Sequence, residues 1–209
     1  MTIKKYNFFF EKIYILLLGI TTSFSLPPYN FWFINFFTFG LLIIYLLNKA
    51  DKNLKTFFIY GYFFGFGYFI SSMYWIPLSL LYDESFKFLI PIAIFIIPAL
   101  LSLFYGFAFS TFKLFLKPKG VFVNILIFSL VLSIFEFLRG TILSGFPWNL
   151  FAYSFLENIK SIQINSIIGI YAFNMILITI FSTPSILFLN KKNDIWGFYL
   201  ILLIMTSNY

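Results

Sequence analysis

Glu136 and Arg139 are the residues of this sequence whose types and spacing could support binding or chemistry inside a membrane. They stand three positions apart and close an apolar or weakly polar run that begins at Val121, so on a helix they share one face. Ionisable groups at membrane depth are costly unless they are paired or hydrated, and they are usually functional. Arg139 also carries a planar fork of donors that suits a carboxylate or a phosphate. The pair is therefore either an internal ion pair, which we favour because Glu136 is within reach, or a site for a lipid phosphate.

The residues that follow predict a tight turn at a membrane surface. Gly145 and Pro147 break the helix, and Trp148 belongs to a residue type that is enriched at lipid headgroups. Tyr74 and Trp75 come at the end of an earlier apolar run, where an aromatic belt or a contact with a substrate headgroup is expected. Together with the charged pair, these three aromatic residues are our candidates for binding lipid or substrate.

The composition indicates an integral membrane protein of the all-α class. Hydrophobic residues make up 61% of the 209 residues and charged residues 10%, whereas about 25% charged residues is usual in soluble domains. The net charge of +7 does not indicate a nucleic-acid partner, because the lysines lie in short clusters between apolar runs. That distribution is typical of the cytoplasmic loops of polytopic membrane proteins.

The residue types also limit the chemistry that these residues can perform. The sequence contains no cysteine, which excludes a disulfide, a thiolate metal site and a cysteine nucleophile. It contains no histidine, which is the usual general base and metal ligand. Asp83 and Glu84 are adjacent on a polar loop and predict a solvated surface rather than an acid–base pair. We therefore expect no metal, no cofactor and no catalytic residue in this sequence.

We expect one transmembrane domain over residues 1–209, folded as a polytopic bundle of about seven helices. A helix needs ~20 mainly apolar residues to span the hydrocarbon, and polar or basic loops separate runs of this kind here. The expected helices are 10–25, 31–47, 56–76, 88–112, 121–140, 164–189 and 195–208.

The first of these helices has an alternative interpretation as a cleavable signal peptide. A basic start, a short apolar run and a small residue at Ser25 fit such a peptide. Pro27 and Pro28 follow at once, and the apolar character resumes at Phe31. We therefore favour a retained helix that ends in a Pro-Pro corner.

Small residues mark one face of the third predicted helix. Gly61 and Gly65 lie four positions apart, and Gly67 adds another small residue nearby. Glycines at that spacing let a second helix approach closely. Helix packing is the simpler interpretation, and a lipid groove is the alternative.

The distribution of basic residues predicts the orientation of the chain. With the N-terminus in the cytoplasm, eleven basic residues fall inside and three fall outside, which is a strong bias. Those inside are Lys4, Lys5, Lys12, Lys49, Lys52, Lys55, Lys113, Lys117, Lys119, Lys191 and Lys192, and those outside are Lys87, Arg139 and Lys160. Seven crossings then place the C-terminus outside.

Four segments, residues 24–32, 61–67, 74–76 and 135–149, are weak motifs singly but specific as a set. In this order and at this spacing they resemble the membrane part of bacterial apolipoprotein N-acyltransferases. The resemblance implies a multi-pass protein of the bacterial inner membrane with a periplasmic C-terminus. In that family a nitrilase-like domain with a Glu, Lys and Cys catalytic set follows the membrane helices, and this sequence stops where that domain would begin.

The resemblance also implies a reaction. A membrane phospholipid donates an acyl chain to the N-terminal amine of a diacylglyceryl-modified lipoprotein cysteine, through a thioester on an enzyme cysteine that this sequence lacks. No catalytic residue is therefore carried over. The residues carried over are Glu136, Arg139, Gly145, Pro147 and Trp148, with Tyr74, Trp75, Pro27 and Pro28.

Three functional hypotheses follow from these observations. In the first, the chain is the membrane portion of such an acyltransferase, truncated or split from its catalytic domain and inactive alone. In the second, it is a lipid-admitting subunit that works with a separately encoded nitrilase-like chain. The third, an unrelated small transporter, has little support, because we find no internal repeat and one intramembrane ion pair.

Overall fold

The computed structural model describes residues 2–118, 120–142, 145–155 and 159–189, and all regular elements within these ranges are helical. The α-helices are α1 Thr2–Ser23, α2 Ile34–Asn48, α3 Leu54–Ser72, α4 Trp75–Ser79, α5 Ile97–Phe115, α6 Val121–Thr141, α7 Ile159–Ile168, α8 Ile170–Ser182 and α9 Pro184–Leu189. Short 3-10 turns lie at Leu80–Tyr82, Glu84–Leu89 and Phe151–Phe155, and a π-helical turn lies at Ile92–Ile96. The predicted all-α class is confirmed.

Within the described ranges, four helical stretches are long and apolar enough to cross a membrane. They are Leu54–Tyr82, Ile92–Phe115, Val121–Thr141 and Ile170–Leu189. The predicted helix 195–208 and three of the basic residues assigned to the inside, Lys119, Lys191 and Lys192, lie outside the described residues. The count of seven crossings, the single domain and the orientation therefore stay predictions.

The observed helices differ from the predicted ones mainly where glycine or proline interrupts an apolar run. The predicted helix 164–189 is divided among α7, α8 and α9, because Gly169 adopts a φ of +80° and Pro184 begins a new helix. The predicted helix 88–112 begins with 3-10 and π turns, and Pro91 and Pro98, which have no backbone N–H, lie among them and at the start of α5. The periodicity of the apolar residues does not indicate where these local breaks in the helices occur.

Helix α3 lies between α1 and α5 and packs closely on both through glycines. A Cβ atom added to Gly61 would lie 2.2 Å from the carbonyl oxygen of Tyr105 on α5, and one added to Gly67 would lie 2.2 Å from that of Leu16 on α1. Gly19 is equally confined on the α1 side, where the nearest atom is the carbonyl oxygen of Phe64. The close approach expected from the α3 glycines is present, because larger side chains would separate these backbones.

Aromatic rings fill the interior and apolar side chains cover the outside. Phe39, Phe64 and Phe109 are fully buried, and the rings of Phe39 and Phe151 meet edge to face at 4.9 Å. By contrast, more than half of the surface of Phe37 is exposed, as in many outward-facing side chains of these helices. An apolar exterior of this kind suits lipid rather than water.

The two ends of the bundle have different chemistry. One end, called the lysine end below, carries Lys12, Lys49, Lys52, Lys55, Lys113 and Lys117. The loop after α2 is bonded to two helices here, since Lys49 Nζ donates to Glu11 Oε1 of α1 at 2.5 Å and Lys113 Nζ of α5 donates to the carbonyl oxygen of Ala50. Arg139 lies at the other end, because α6 starts beside Lys117 and the nineteen residues of helix from Val121 to Arg139 extend about 27 Å.

Candidate functional site: a buried ion pair and the loop that it holds

Glu136 and Arg139 form an ion pair in the last two turns of α6. Both side chains are fully buried. Arg139 Nε donates to Glu136 Oε2 at 2.9 Å, and Arg139 Nη2 donates to the same oxygen. The three-residue spacing places the two groups on one face of the helix, as expected. Each charge therefore has its partner within the same helix, which offsets part of the cost of burying it.

The rest of the Arg139 guanidinium binds the loop of residues 145–150, called the Trp148 loop below. Nη1 donates to the carbonyl oxygens of Phe146 at 2.6 Å and Trp148 at 2.9 Å. The amide of Phe146 donates in return to the carbonyl oxygen of Arg139 at 3.0 Å. The loop is thus folded back onto the end of α6 by hydrogen bonds from the side chain and the backbone of Arg139.

Two further features of the loop concern Gly145 and Pro147. Gly145 has a φ of +76°, and a Cβ atom on it would lie 2.3 Å from the carbonyl oxygen of Gly140. Pro147 accepts a hydrogen bond at its carbonyl oxygen from the Tyr153 hydroxyl at 2.9 Å. Burial raises the pKa of Tyr153 above its usual range, so this hydroxyl remains a neutral donor at physiological pH. The predicted turn after α6 is therefore present.

Two buried tyrosines that sequence reasoning missed complete the polar network. Tyr105 of α5 donates its hydroxyl proton to Glu136 Oε1, the carboxylate oxygen that Arg139 does not use. Tyr68 of α3 donates to the carbonyl oxygen of Asn149 in the Trp148 loop at 2.9 Å. Tyr68 lies two helical turns after Gly61 on the same face of α3, a spacing that could have indicated it. Nothing in the sequence around Tyr105 distinguishes it from other buried aromatic residues.

A third anchor for this region comes from α8. Asn174 is fully buried, and its Oδ1 accepts a hydrogen bond from the amide of Ala152 at 3.0 Å. The segment from Gly145 to Ala152 is thus held by side chains of three helices, α3, α6 and α8. A loop fixed at several points keeps a defined conformation, which is what a binding surface needs.

The aromatic candidates lie at the edge of this network and are open to the surroundings. About half of the surface of Trp148 is exposed, and its ring lies 6.0 Å from that of Trp75. Tyr74 is also exposed and lines a neighbouring apolar cavity of about 380 Å³ together with Met73 and Pro77. The structure therefore brings Trp75 and Trp148 together, while Arg139 binds the backbone of Trp148 from the inside.

The remaining sequence candidates do not join the ion pair. Pro27 and Pro28 lie in the turn between α1 and α2, and the Trp32 ring after this turn packs 5.3 Å from Phe155. This turn therefore lies at the same end of the bundle as the Trp148 loop. Gly61 and Gly65 lie in the interface between α3 and α5, where they serve packing.

The Arg139 guanidinium is surrounded by other groups of the protein. The guanidinium is enclosed by the rings of Phe69 and Phe146, whose centroids lie 5.1 and 5.9 Å from Cζ. Its Nε and both terminal nitrogens donate to protein acceptors. A groove of about 480 Å³ between α5 and α6, lined by apolar residues such as Leu100 and Phe107, borders Arg139.

The described part of the site offers hydrogen-bonding groups and apolar surfaces. Among the described residues, no group of three or more His, Cys, Asp or Glu side chains could hold a metal ion. What the site provides is a rigid loop, exposed indole rings and adjoining apolar grooves.

Comparison with known sequences identifies the family to which this arrangement belongs. Residues 18–182 match the family model described as the apolipoprotein N-acyltransferase N-terminal domain, which is most of the sequence. This chain belongs to the apolipoprotein N-acyltransferase family. The matched region contains the ion pair, the Trp148 loop, both tyrosines and Asn174.

Individual apolipoprotein N-acyltransferases show the same relationship. The chain is 35% identical over 181 residues to the enzyme of Rhodopseudomonas palustris, covering 85% of this chain and 33% of the relative. It is 38% identical over 181 residues to that of Rickettsia prowazekii, covering 86% of this chain and 35% of the relative. The chain thus spans about a third of the length of the curated relatives that it matches.

Proposed function

We propose that these residues form the membrane region of an apolipoprotein N-acyltransferase in the bacterial inner membrane. The acyl donor is a membrane phospholipid, and the acceptor is the N-terminal amine of a diacylglyceryl-modified apolipoprotein. Family membership and the apolar helices support this proposal. The alternative of a small transporter has less support, because the Glu136–Arg139 pair is enclosed and bonded to protein groups rather than open to a path.

The observation that carries the proposal is the fixed Trp148 loop. Tyr105 binds Glu136, Glu136 binds Arg139, and Arg139 binds the loop backbone so that the Trp148 ring is exposed beside Trp75. Indole rings favour the headgroup level of a bilayer. In this proposal Trp75, Trp148 and Tyr74 contact the lipid part of a substrate, and the charged pair positions them.

These residues are not sufficient for acyl transfer by themselves. The family reaction passes through a thioester, which requires a cysteine thiolate, and the 209 residues contain none. The nucleophile has to come from a nitrilase-like domain, either linked to this region or encoded as a separate chain. The membrane region then acts by admitting and orienting lipid substrates for that domain.

Complementation tests whether this membrane region needs a nitrilase-like domain for acyl transfer. Cells depleted of their own N-acyltransferase would express this region alone, or together with the nitrilase-like remainder of a relative, either fused or as a separate chain. Mass spectrometry of lipoprotein N-termini should find no triacylated product with the region alone and restored product with the remainder supplied. Triacylated N-termini with the region alone would contradict the proposal, as would failure of both pairings despite normal membrane expression.

A further inference from the structure

A polar cavity and an apolar groove meet at Lys117, at the end of the bundle opposite to the Trp148 loop. The polar cavity has a volume of about 200 Å³ and lies between the residues that follow α2 and the turn that joins α5 to α6. Its polar side chains are those of Asn48, Lys117 and Asn124, and apolar residues such as Leu47 and Leu116 complete the lining. Whole small molecules usually occupy cavities of about 300 Å³ or more, so a single headgroup suits this volume better.

The apolar groove has a volume of about 360 Å³ and follows one face of α6. Ile127, Leu130 and Ile134 line it from α6, and Phe115 lines it from α5. The three α6 residues recur at helical spacing and extend about 10 Å along the axis. Such a groove suits part of an acyl chain, and its end at Lys117 is also the edge of the polar cavity.

The backbone of Lys117 is fixed by a side chain of α6. Asn124 accepts a hydrogen bond from the Lys117 amide at 2.8 Å and donates one to the Lys117 carbonyl oxygen at 2.9 Å. Lys117 itself is exposed, and it has no ion pair with an acid among the residues that the structure describes. The turn therefore holds a cationic side chain at the junction of the two cavities.

The charge around this junction favours an anion. The described side chains of the lysine end include six lysines but only two acids, Glu11 and Asp51. Glu11 pairs with Lys49, and Asp51 lies 3.7 Å from Lys52. Basic pockets at the ends of membrane helices are known to take anionic lipid headgroups.

We propose that an anionic glycerophospholipid binds at this junction, with its phosphate in the polar cavity beside Lys117 and an acyl chain in the groove along α6. This lipid is distinct from the acyl donor, because it belongs to the leaflet at the lysine end, about 27 Å of helix away from Arg139. Its role is to stabilise the packing of α5 on α6 from outside the candidate site. The proposal does not rest on the acyltransferase function.

Native mass spectrometry of the purified chain in neutral detergent tests this site. One phosphatidylglycerol should be retained at concentrations at which phosphatidylcholine is not. Lys117→Gln should weaken phosphatidylglycerol binding about fivefold, the effect of one basic residue near an anionic lipid surface. Leu130→Trp, which places a larger ring in the groove, should also weaken it.

Lys55→Gln is the matched control, because Lys55 is an exposed lysine at the same end that lines neither cavity. It should leave binding unchanged, and all variants should keep the thermal transition of the parent chain without lipid. Equal weakening by Lys117→Gln and Lys55→Gln would overturn the site in favour of diffuse charge attraction. Displacement by inorganic phosphate with no effect of Leu130→Trp would overturn the lipid in favour of a small anion.

Discussion

Tyr105 and Glu136 join α5 to α6 by a buried hydrogen bond, in which the tyrosine hydroxyl donates to Oε1 while Oε2 accepts from Arg139. The carboxylate is thus bonded on both oxygens. Because Arg139 in turn binds the carbonyl oxygens of Phe146 and Trp148, the position of a loop at the end of the bundle depends on a residue of a different helix. Tyr105 is therefore a positioning residue for the candidate site.

Tyr105→Phe should destabilise the protein because it leaves one oxygen of a buried carboxylate without its donor. The expected loss is about 1 to 3 kcal/mol in the free energy of unfolding. Thermal unfolding in detergent would measure it. Tyr82→Phe is the control, since Tyr82 is 94% exposed, and it should leave the transition unchanged. Equal effects of the two substitutions would show that the buried hydroxyl has no special role.

Glu136→Gln and Arg139→Gln should each lower the stability of the protein strongly when introduced alone. The double substitution should cost less than the sum of the two single losses. Removing one member of a buried pair leaves the other charge uncompensated, at about 3 to 5 kcal/mol. The double substitution avoids that penalty but still loses the bonds to the Trp148 loop. A double-mutant cycle of thermal stability should therefore give a combined loss smaller than the sum of the single losses. Additive losses would be inconsistent with a direct pair.

Gly67→Ala should destabilise the bundle because its methyl group would lie 2.2 Å from the carbonyl oxygen of Leu16. Overpacking of this kind costs roughly 1 to 3 kcal/mol. Gly40→Ala is the matched control in α2, where the nearest atom, Cβ of Pro184, is 3.5 Å away and alanine is the better helix former. Unfolding temperatures should fall for the first variant and stay equal or rise for the second. The reverse order would refute the observed packing of α1 on α3.

The orientation predicted from the lysines can be tested with reporter fusions. Fusions at Asp51 and Lys117 should report a cytoplasmic position, and a fusion at Asp83 should report the opposite side, because basic loops are retained in the cytoplasm. An N-terminal fusion that remains attached would also exclude cleavage after Ser25. A cytoplasmic signal from Asp83 would contradict the assignment of the third crossing.

The sequence alone predicts which residues form the site better than it predicts the hydrogen bonds between them. Glu136 and Arg139 are evident because charges interrupt an apolar run, and the turn after them is evident from Gly145 and Pro147. The spacing from Gly61 places Tyr68 on the packed face of α3, but its hydrogen bond is not evident, because the partner, the carbonyl of Asn149, lies 81 positions away in the chain. Local patterns carry no information on contacts of that range.

The same limit applies to the fold. Long apolar runs predict α3, α5 and α6 well, since hydrophobic length decides whether a helix can span the hydrocarbon. The division of residues 159–189 among three helices depends on the backbone conformation at Gly169 and on Pro184, which hydropathy does not record. Periodicity thus predicts where helices occur, and local backbone chemistry decides where they break.

The most direct test of the central claim, that Arg139 holds the Trp148 loop beside α4, is cross-linking. Because the sequence contains no cysteine, Trp75→Cys and Trp148→Cys can be introduced as the only thiols and treated in membranes with a short bismaleimide. Leu114→Cys, exposed near the lysine end, paired with Trp148→Cys is the negative control. We predict efficient cross-linking of the Trp75→Cys and Trp148→Cys pair, its loss when Arg139→Gln is added, and none for the control. Cross-linking that is unchanged by Arg139→Gln would contradict the account.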